Sequence, residues 1–158
     1  MRAISLFTLA MLAAPAAARP PASSITYSTD ACLGTCPVYR VTVNADGTAL
    51  FVGERYTAVQ GERRFRITPA QYRAFAAHLA PIRPRSGLVN YADAAHCGPE
   101  ATDLPSSSVI WETGPLRQTV AYYYGCMNPR IRPVGARLSA VPGLLPIADF
   151  IGPRPSHR

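Results

Sequence analysis

The chain has no lysine: all 16 of its basic residues are arginine. Arginine's planar fork suits carboxylates and phosphates. A GC-rich genome, which favours Arg, Ala, Pro and Gly codons, accounts for the same bias without any partner. Acidic residues are scarce, at nine. No phosphate loop, zinc-ligand spacing or dinucleotide fingerprint occurs, so the common nucleotide and zinc chemistries have no anchor here. No internal repeat and no heptad pattern occurs, which excludes solenoids and coiled coils. Beyond the first 20 residues no stretch has the length and apolarity of a membrane span, which needs about 20 apolar residues.

The N-terminus accounts for the one apolar run. Arg2 supplies a positive charge, residues 4–14 are apolar except for Ser5 and Thr8, and Ala16-Ala17-Ala18 presents the small residues that a signal peptidase accepts. The pattern predicts a cleavable secretory signal over 1–18, with the mature chain starting at Arg19. The other reading, an apolar core helix, is opposed by Pro15. No cysteine adjoins the cleavage site, which argues against a lipid anchor. Removal of 18 residues leaves 140, one domain's worth of chain and enough to bury a core. Fifteen arginines against nine acids give that remainder a charge of +6, which favours loose attraction to anionic surfaces and names no partner.

Periodicity divides the rest into a lead-in over 19–23, a single globular domain over 24–152 and a polar tail over 153–158. Residues 24–28 alternate as a first strand. In 38–44, Tyr39, Val41 and Val43 share one face, opposite Arg40, Thr42 and Asn44. Ala45-Asp46-Gly47 is a turn signal, and 48–52 form the return strand. A further hairpin is expected from 54–59 and 63–67, with Phe65 and Ile67 inward. Thr68-Pro69-Ala70-Gln71 combines an N-cap threonine, a first-turn proline and a capping-box glutamine. Tyr72, Phe75, Ala76 and Leu79 then follow at helical spacing, so a helix is expected over 69–80. Residues 81–105 read mostly as loop. Val109 and Trp111 open a strand that turns at Thr113-Gly114-Pro115 into 116–124. Val134, Leu138 and Val141 indicate one short helix, and Ile147, Ala148 and Ile151 another. The order predicts an α+β domain: an antiparallel sheet of about five to seven strands, with one main helix and short C-terminal helices packed on it.

The run Cys32-Leu33-Gly34-Thr35-Cys36-Pro37-Val38-Tyr39, followed by Asp46-Gly47-Thr48, resembles the bacterial family called domain of unknown function 6438. Its pattern is an isoleucine-containing strand, then C-x-G-T-C-P-x-Y, then a strand and a D-G-T turn. Gly61 before the fourth strand, Thr102-Asp103-Leu104-Pro105, the Tyr-Tyr-Gly after the last strand and the helical C-terminus are further points of likeness. The resemblance spans residues 24–151. It implies an exported or envelope domain with no assigned activity, in which Cys97 and Cys126 are a local addition.

Four cysteines in an exported chain allow three pairings. Proximity along the chain favours Cys32 with Cys36 and Cys97 with Cys126. In the chain-entropy model the long bridge is worth about 3.5 kcal/mol and the short one about 2 kcal/mol. The alternative makes Cys32 and Cys36 active. C-x-x-x-C-P also resembles the motif of thioredoxin-like copper-delivery proteins of the Sco type, and thiolates with imidazole suit copper, with His96 as third ligand. Against it, a helix should follow such a motif to lower the thiol pKa, whereas 38–44 read as a strand, and no βαβ order surrounds it. His78 is expected at the core edge, and Asp103 in an Asx turn. Arg40, Arg55, Arg64 and Arg66, with Arg63, form either a solvated sheet face or a site for an anionic ligand. No catalytic set can be assembled, so an enzyme is not indicated. The expected function is a non-enzymatic, disulfide-stapled binding or envelope protein, periplasmic or secreted and without a cofactor. Its partner would be an envelope component or small ligand, met through the sheet surface or the 81–105 loop, and not nucleic acid. The alternative is a thiol-redox or copper protein.

Overall fold

The structure, a computed structural model, describes residues 23–153. The signal segment, its cleavage before Arg19 and the tail beyond residue 153 lie outside the described residues. Seven strands form one sheet: β1 (Ser23–Thr29), β2 (Val38–Asn44), β3 (Thr48–Arg55), β4 (Gly61–Arg66), β5 (Gly87–Asn90), β6 (Ser106–Thr113) and β7 (Leu116–Tyr123). Their order is β4-β3-β2-β1-β6-β7-β5. Every pairing is antiparallel except β5 with β7. Helices α1 (Pro69–Leu79), α2 (Ala94–Cys97), α3 (Arg132–Ala140) and α4 (Ala148–Ile151) complete an α+β domain. Among the described residues no helix is long and apolar enough to cross a membrane.

The alternation of β2 works as its sequence reads: Tyr39, Val41 and Val43 are buried while Arg40 and Asn44 are exposed. Registered across the sheet, the inner positions form rows. Trp111, Ile25, Val43 and Ala49 make one row, and Val120, Val109, Tyr27, Val41 and Phe51 the next. All nine are buried in one core cluster that includes Phe75 and Leu79 of α1 and Leu138 of α3. The capping box of α1 is formed in both directions, Thr68 Oγ1 accepting from Gln71 N at 3.2 Å and Gln71 Oε1 from Thr68 N at 2.8 Å. The D-G-T turn is fixed by Asp46 Oδ1, which accepts from Thr48 N at 2.9 Å and Thr48 Oγ1 at 2.6 Å. Gly47 has φ +81°, and a Cβ there would sit 2.5 Å from the Ile67 carbonyl oxygen. Only glycine fits that turn.

One expectation needs correction. Residues 54–59 are not a separate strand: β3 runs on to Arg55, and 57–59 form a tight loop. Thr57 turns back on itself, its Oγ1 donating to the Val59 carbonyl at 2.8 Å, and Ala58 N and Val59 N donate to Ile151 and Phe150 of α4 instead of to a strand. The 81–105 stretch is mostly loop, as expected. It supplies β5 and α2. Four residues are too few to show alternation, and β5 exists because β7 offers a parallel edge. Phe65 is half-buried, whereas Ile67 is fully inside the core.

Candidate functional site

The first loop is built to be closed and held. Gly34 takes φ +125°, a conformation that L side chains rarely adopt, which lets the chain double back so that Cys32 and Cys36 join with Cα atoms 5.7 Å apart. The loop is tied at its tip by Leu33 N to the Asp103 carbonyl at 3.1 Å, and at its base by Asp30 N to the Ser106 carbonyl at 2.9 Å. On the return side Thr29 Oγ1 donates to the Pro37 carbonyl at 2.8 Å and accepts from Tyr39 N at 3.1 Å. Tyr39 then stacks on Phe51 with ring centres 5.3 Å apart and lies 6.1 Å from Tyr27. The motif therefore places its final tyrosine in the core and its second cysteine and proline at the core's rim.

Behind that rim is a cavity of about 430 Å³, the size of a small-molecule site. Its floor is the inner face of the sheet at the end of β1, where Tyr27 and Thr29 face Tyr39 of β2 and Tyr124 just past β7. Its opposite wall is the C-terminal helical run, through Ser139, Gly143, Ala148 and Ile151. This end of the sheet is the row after the two apolar rows, and here the inner positions change to Thr29, Tyr39 and Ser107. Ser107 is fully buried and shares a hydrogen bond with the Tyr124 hydroxyl at 3.1 Å. Burial holds the phenols of Tyr27, Tyr39 and Tyr124 above the usual tyrosine range, and the neighbouring phenols push Tyr27 and Tyr39 further the same way. They are neutral hydroxyls at any physiological pH, suited to hydrogen bonding and not to general-base work.

Residues 23–141 match the family model described as Domain of unknown function (DUF6438). The chain belongs to this family. No curated protein and no solved structure matches it. The DUF6438 stretch contains the cysteine loop and the cavity floor, and it ends before Gly143, Ala148 and Ile151 of the opposite wall.

The second cysteine pair, Cys97 with Cys126, lies at the other end of β7 from the 113–116 turn, with Cα atoms 4.7 Å apart. Both residues are buried. His96 does not stand with the first pair: its Nδ1 meets Asp93 Oδ1 at 2.7 Å and its ring packs edge-on to Tyr91. The same contact holds the Asp93 carboxyl below the usual aspartate range. Among the described residues no group of three or more His, Cys, Asp or Glu side chains is placed to hold a metal ion. His78, at the core edge, bonds the Arg137 carbonyl through Nε2 at 2.9 Å and receives Arg137 Nη1 on its own carbonyl at 2.9 Å. Asp103 has φ +70° and accepts from Thr102 Oγ1 at 3.0 Å.

The arginine cluster is split by the sheet. Arg40, Arg64 and Arg66 share the solvent face. There Arg40 meets Glu54 at 3.5 Å, Arg64 meets Glu62 at 4.0 Å, and Arg66 reaches the Asp46 carbonyl at 3.3 Å. Arg63 pairs with inward-facing Phe51 in register and lies over the Phe150 ring. Arg55 ends β3 past a register shift. These five residues do not form one face. Sequence reasoning missed the residues of the cavity floor. The available signal was hydroxyl side chains at strand ends, Thr29 and Ser107, on the parity that elsewhere carries Ile, Val and Trp.

Proposed function

We propose that the protein is an exported, non-enzymatic binding domain that receives a small ligand in the cavity beside the Cys32–Cys36 loop. The observation that carries this reading is the row of hydroxyls on the core-facing side of the sheet, opposite open space. Thr29 Oγ1 and the Ser107–Tyr124 pair are already bonded within the protein, and a hydroxyl oxygen with two acceptor positions keeps one that a guest's donor can use. The two disulfides and the signal pattern support export into an oxidising compartment. Two measurements on protein recovered from its native compartment test this. Intact mass should place the N-terminus at Arg19. Native mass spectrometry should show a non-covalent adduct that denaturation removes. A retained Met1 would end the export claim, and a chain free of adduct that also shows no saturable binding at the cavity would end the binding claim.

The thiol or copper reading has one observation in its favour: Cys36 borders the cavity, and both Cys32 and Cys36 are half-exposed. A copper titration of the reduced protein separates the two. Tight Cu(I) uptake lost in Cys36→Ser supports the thiol reading; its absence, with 32–36 resisting mild reduction, supports a structural bridge.

A further inference from the structure

The cavity also carries information about the charge of its guest. The chain has 16 arginines and nine acids, yet among the described residues no Arg, Asp, Glu or His side chain borders the space. A charged group seated on that floor would shed part of its water and find no opposite charge among those residues, and an unpaired charge taken out of water is costly. The phenols do not supply one, because burial keeps Tyr27, Tyr39 and Tyr124 protonated. The walls are largely apolar, with Pro37, Pro105, Pro142 and Ile151 around the hydroxyl floor. Ser107 and Tyr124 already share one hydrogen between their oxygens. Each hydroxyl has one donor position and two acceptor positions, so such a pair keeps spare lone pairs once its own donors are used.

We infer that the site binds an uncharged amphiphile: an apolar body filling the space between sheet and C-terminal helices, with a neutral O–H or N–H donor directed at the Tyr124 hydroxyl on its floor. This rests on the binding reading above and adds the ligand's chemical class. It also runs against the protein's overall charge. A chain of +7 attracts anions at its surface, so selection of a neutral guest has to come from the cavity itself.

Two dyes with one scaffold test it. N-phenyl-1-naphthylamine is neutral and carries an N–H; 8-anilino-1-naphthalenesulfonate is nearly the same molecule with a fixed negative charge. Both are titrated by fluorescence against the full chain with both disulfides formed. Gly143→Leu is the plug: a Cβ at Gly143 meets nothing within 4 Å, so the substitution has room. Ala148→Trp, exposed on the same wall, is the second plug if melting shows the first to be unfolded. The expected result is saturable binding of one neutral dye per chain, at least about tenfold tighter than the sulfonate, lost in the plugged variant and weakened severalfold in Tyr124→Phe. If the sulfonate binds as tightly or more tightly and is also lost on plugging, the uncharged class is wrong while the cavity remains a binding site. If neither dye saturates, or plugging changes nothing, the binding reading itself fails.

Discussion

Trp111, Ile25, Val43 and Ala49 close the inner face at one end of the sheet with apolar atoms. Four residues along the same strands, at the same parity, Ser107, Thr29 and Tyr39 do not. The first end packs into the core cluster that also holds Phe75 and Leu79 of α1; the second, across from the C-terminal run, leaves about 430 Å³ open. Polar groups occur at both ends, and their treatment differs. Gln118, in the Trp111 row, is completely engaged, its Oε1 accepting from Arg83 Nε at 2.8 Å and its Nε2 donating to the carbonyls of Pro84 and Arg85. At the open end, Thr29 and the three tyrosines border the cavity. The disulfides differ in burial although both lie at the Ser107 end of the sheet: 97–126 is buried, while 32–36 sits at the rim with Leu33 at its tip 80 % exposed. The Trp111 row is packed into the core, and the Thr29 row opens on a space.

The sharpest test of that division is Phe75→Ala. Phe75 is fully buried in α1, and its truncation should cost about 3–5 kcal/mol in a denaturant titration; an unchanged midpoint would mean that the helix does not close the packed end. The cysteines come next. Replacing Cys97 and Cys126 together by serine should cost about 3.5 kcal/mol, against about 2 kcal/mol for Cys32 and Cys36, from loop length alone. The pairs span 29 and four positions. Equal losses would break the comparison, because the rim bridge would then matter to folding as much as the buried one. Tyr124→Phe at the open end should cost only about 1 kcal/mol, the value of one hydrogen bond, and a loss of several kcal/mol would make the hydroxyl row part of the core.

The smallest effect is an acid one, and it belongs to neither end. Hydrogen bonds from the Thr48 side chain and backbone hold the Asp46 carboxyl below the usual aspartate range. A depressed folded-state pKa means that its contribution is fully present above about pH 4, the unfolded value, and is lost as pH falls through the folded one. Asp46→Asn should therefore lower the melting temperature slightly at pH 5 to 7, and the gap to the parent chain should close as the pH drops below about 3. A gap that persists in strong acid would show that the turn depends on shape and not on the carboxylate.

Much of the fold could be read from local pattern. The β2 alternation, the D-G-T turn and the Thr68–Gln71 capping box each have a signal within a few residues, because each is decided by neighbours in the chain. The helices that form the cavity's wall are also short-range features, visible at Val134 and Leu138 and at Ile147 and Ile151. β5 is different: Leu88 and Val89 become a strand only because β7 is there to pair with them. The five arginines look like one patch in sequence, yet pairing in register puts Arg63 over the Phe150 ring and Arg64 on the opposite face, both exposed. The 57–59 loop lies in a stretch whose pattern predicts a hairpin arm, while α4 takes the N–H groups of Ala58 and Val59.

The sequence by itself determined the class of domain, the family motif, the main helix and the favoured cysteine pairs, since these rest on periodicity, caps and spacing. Only the tertiary structure decided that Tyr27, Thr29, Tyr39 and Tyr124 share one space with Ser139 and Gly143, residues up to 116 positions apart. A cavity is what remains where two packed layers fail to meet, and no local pattern records that distance.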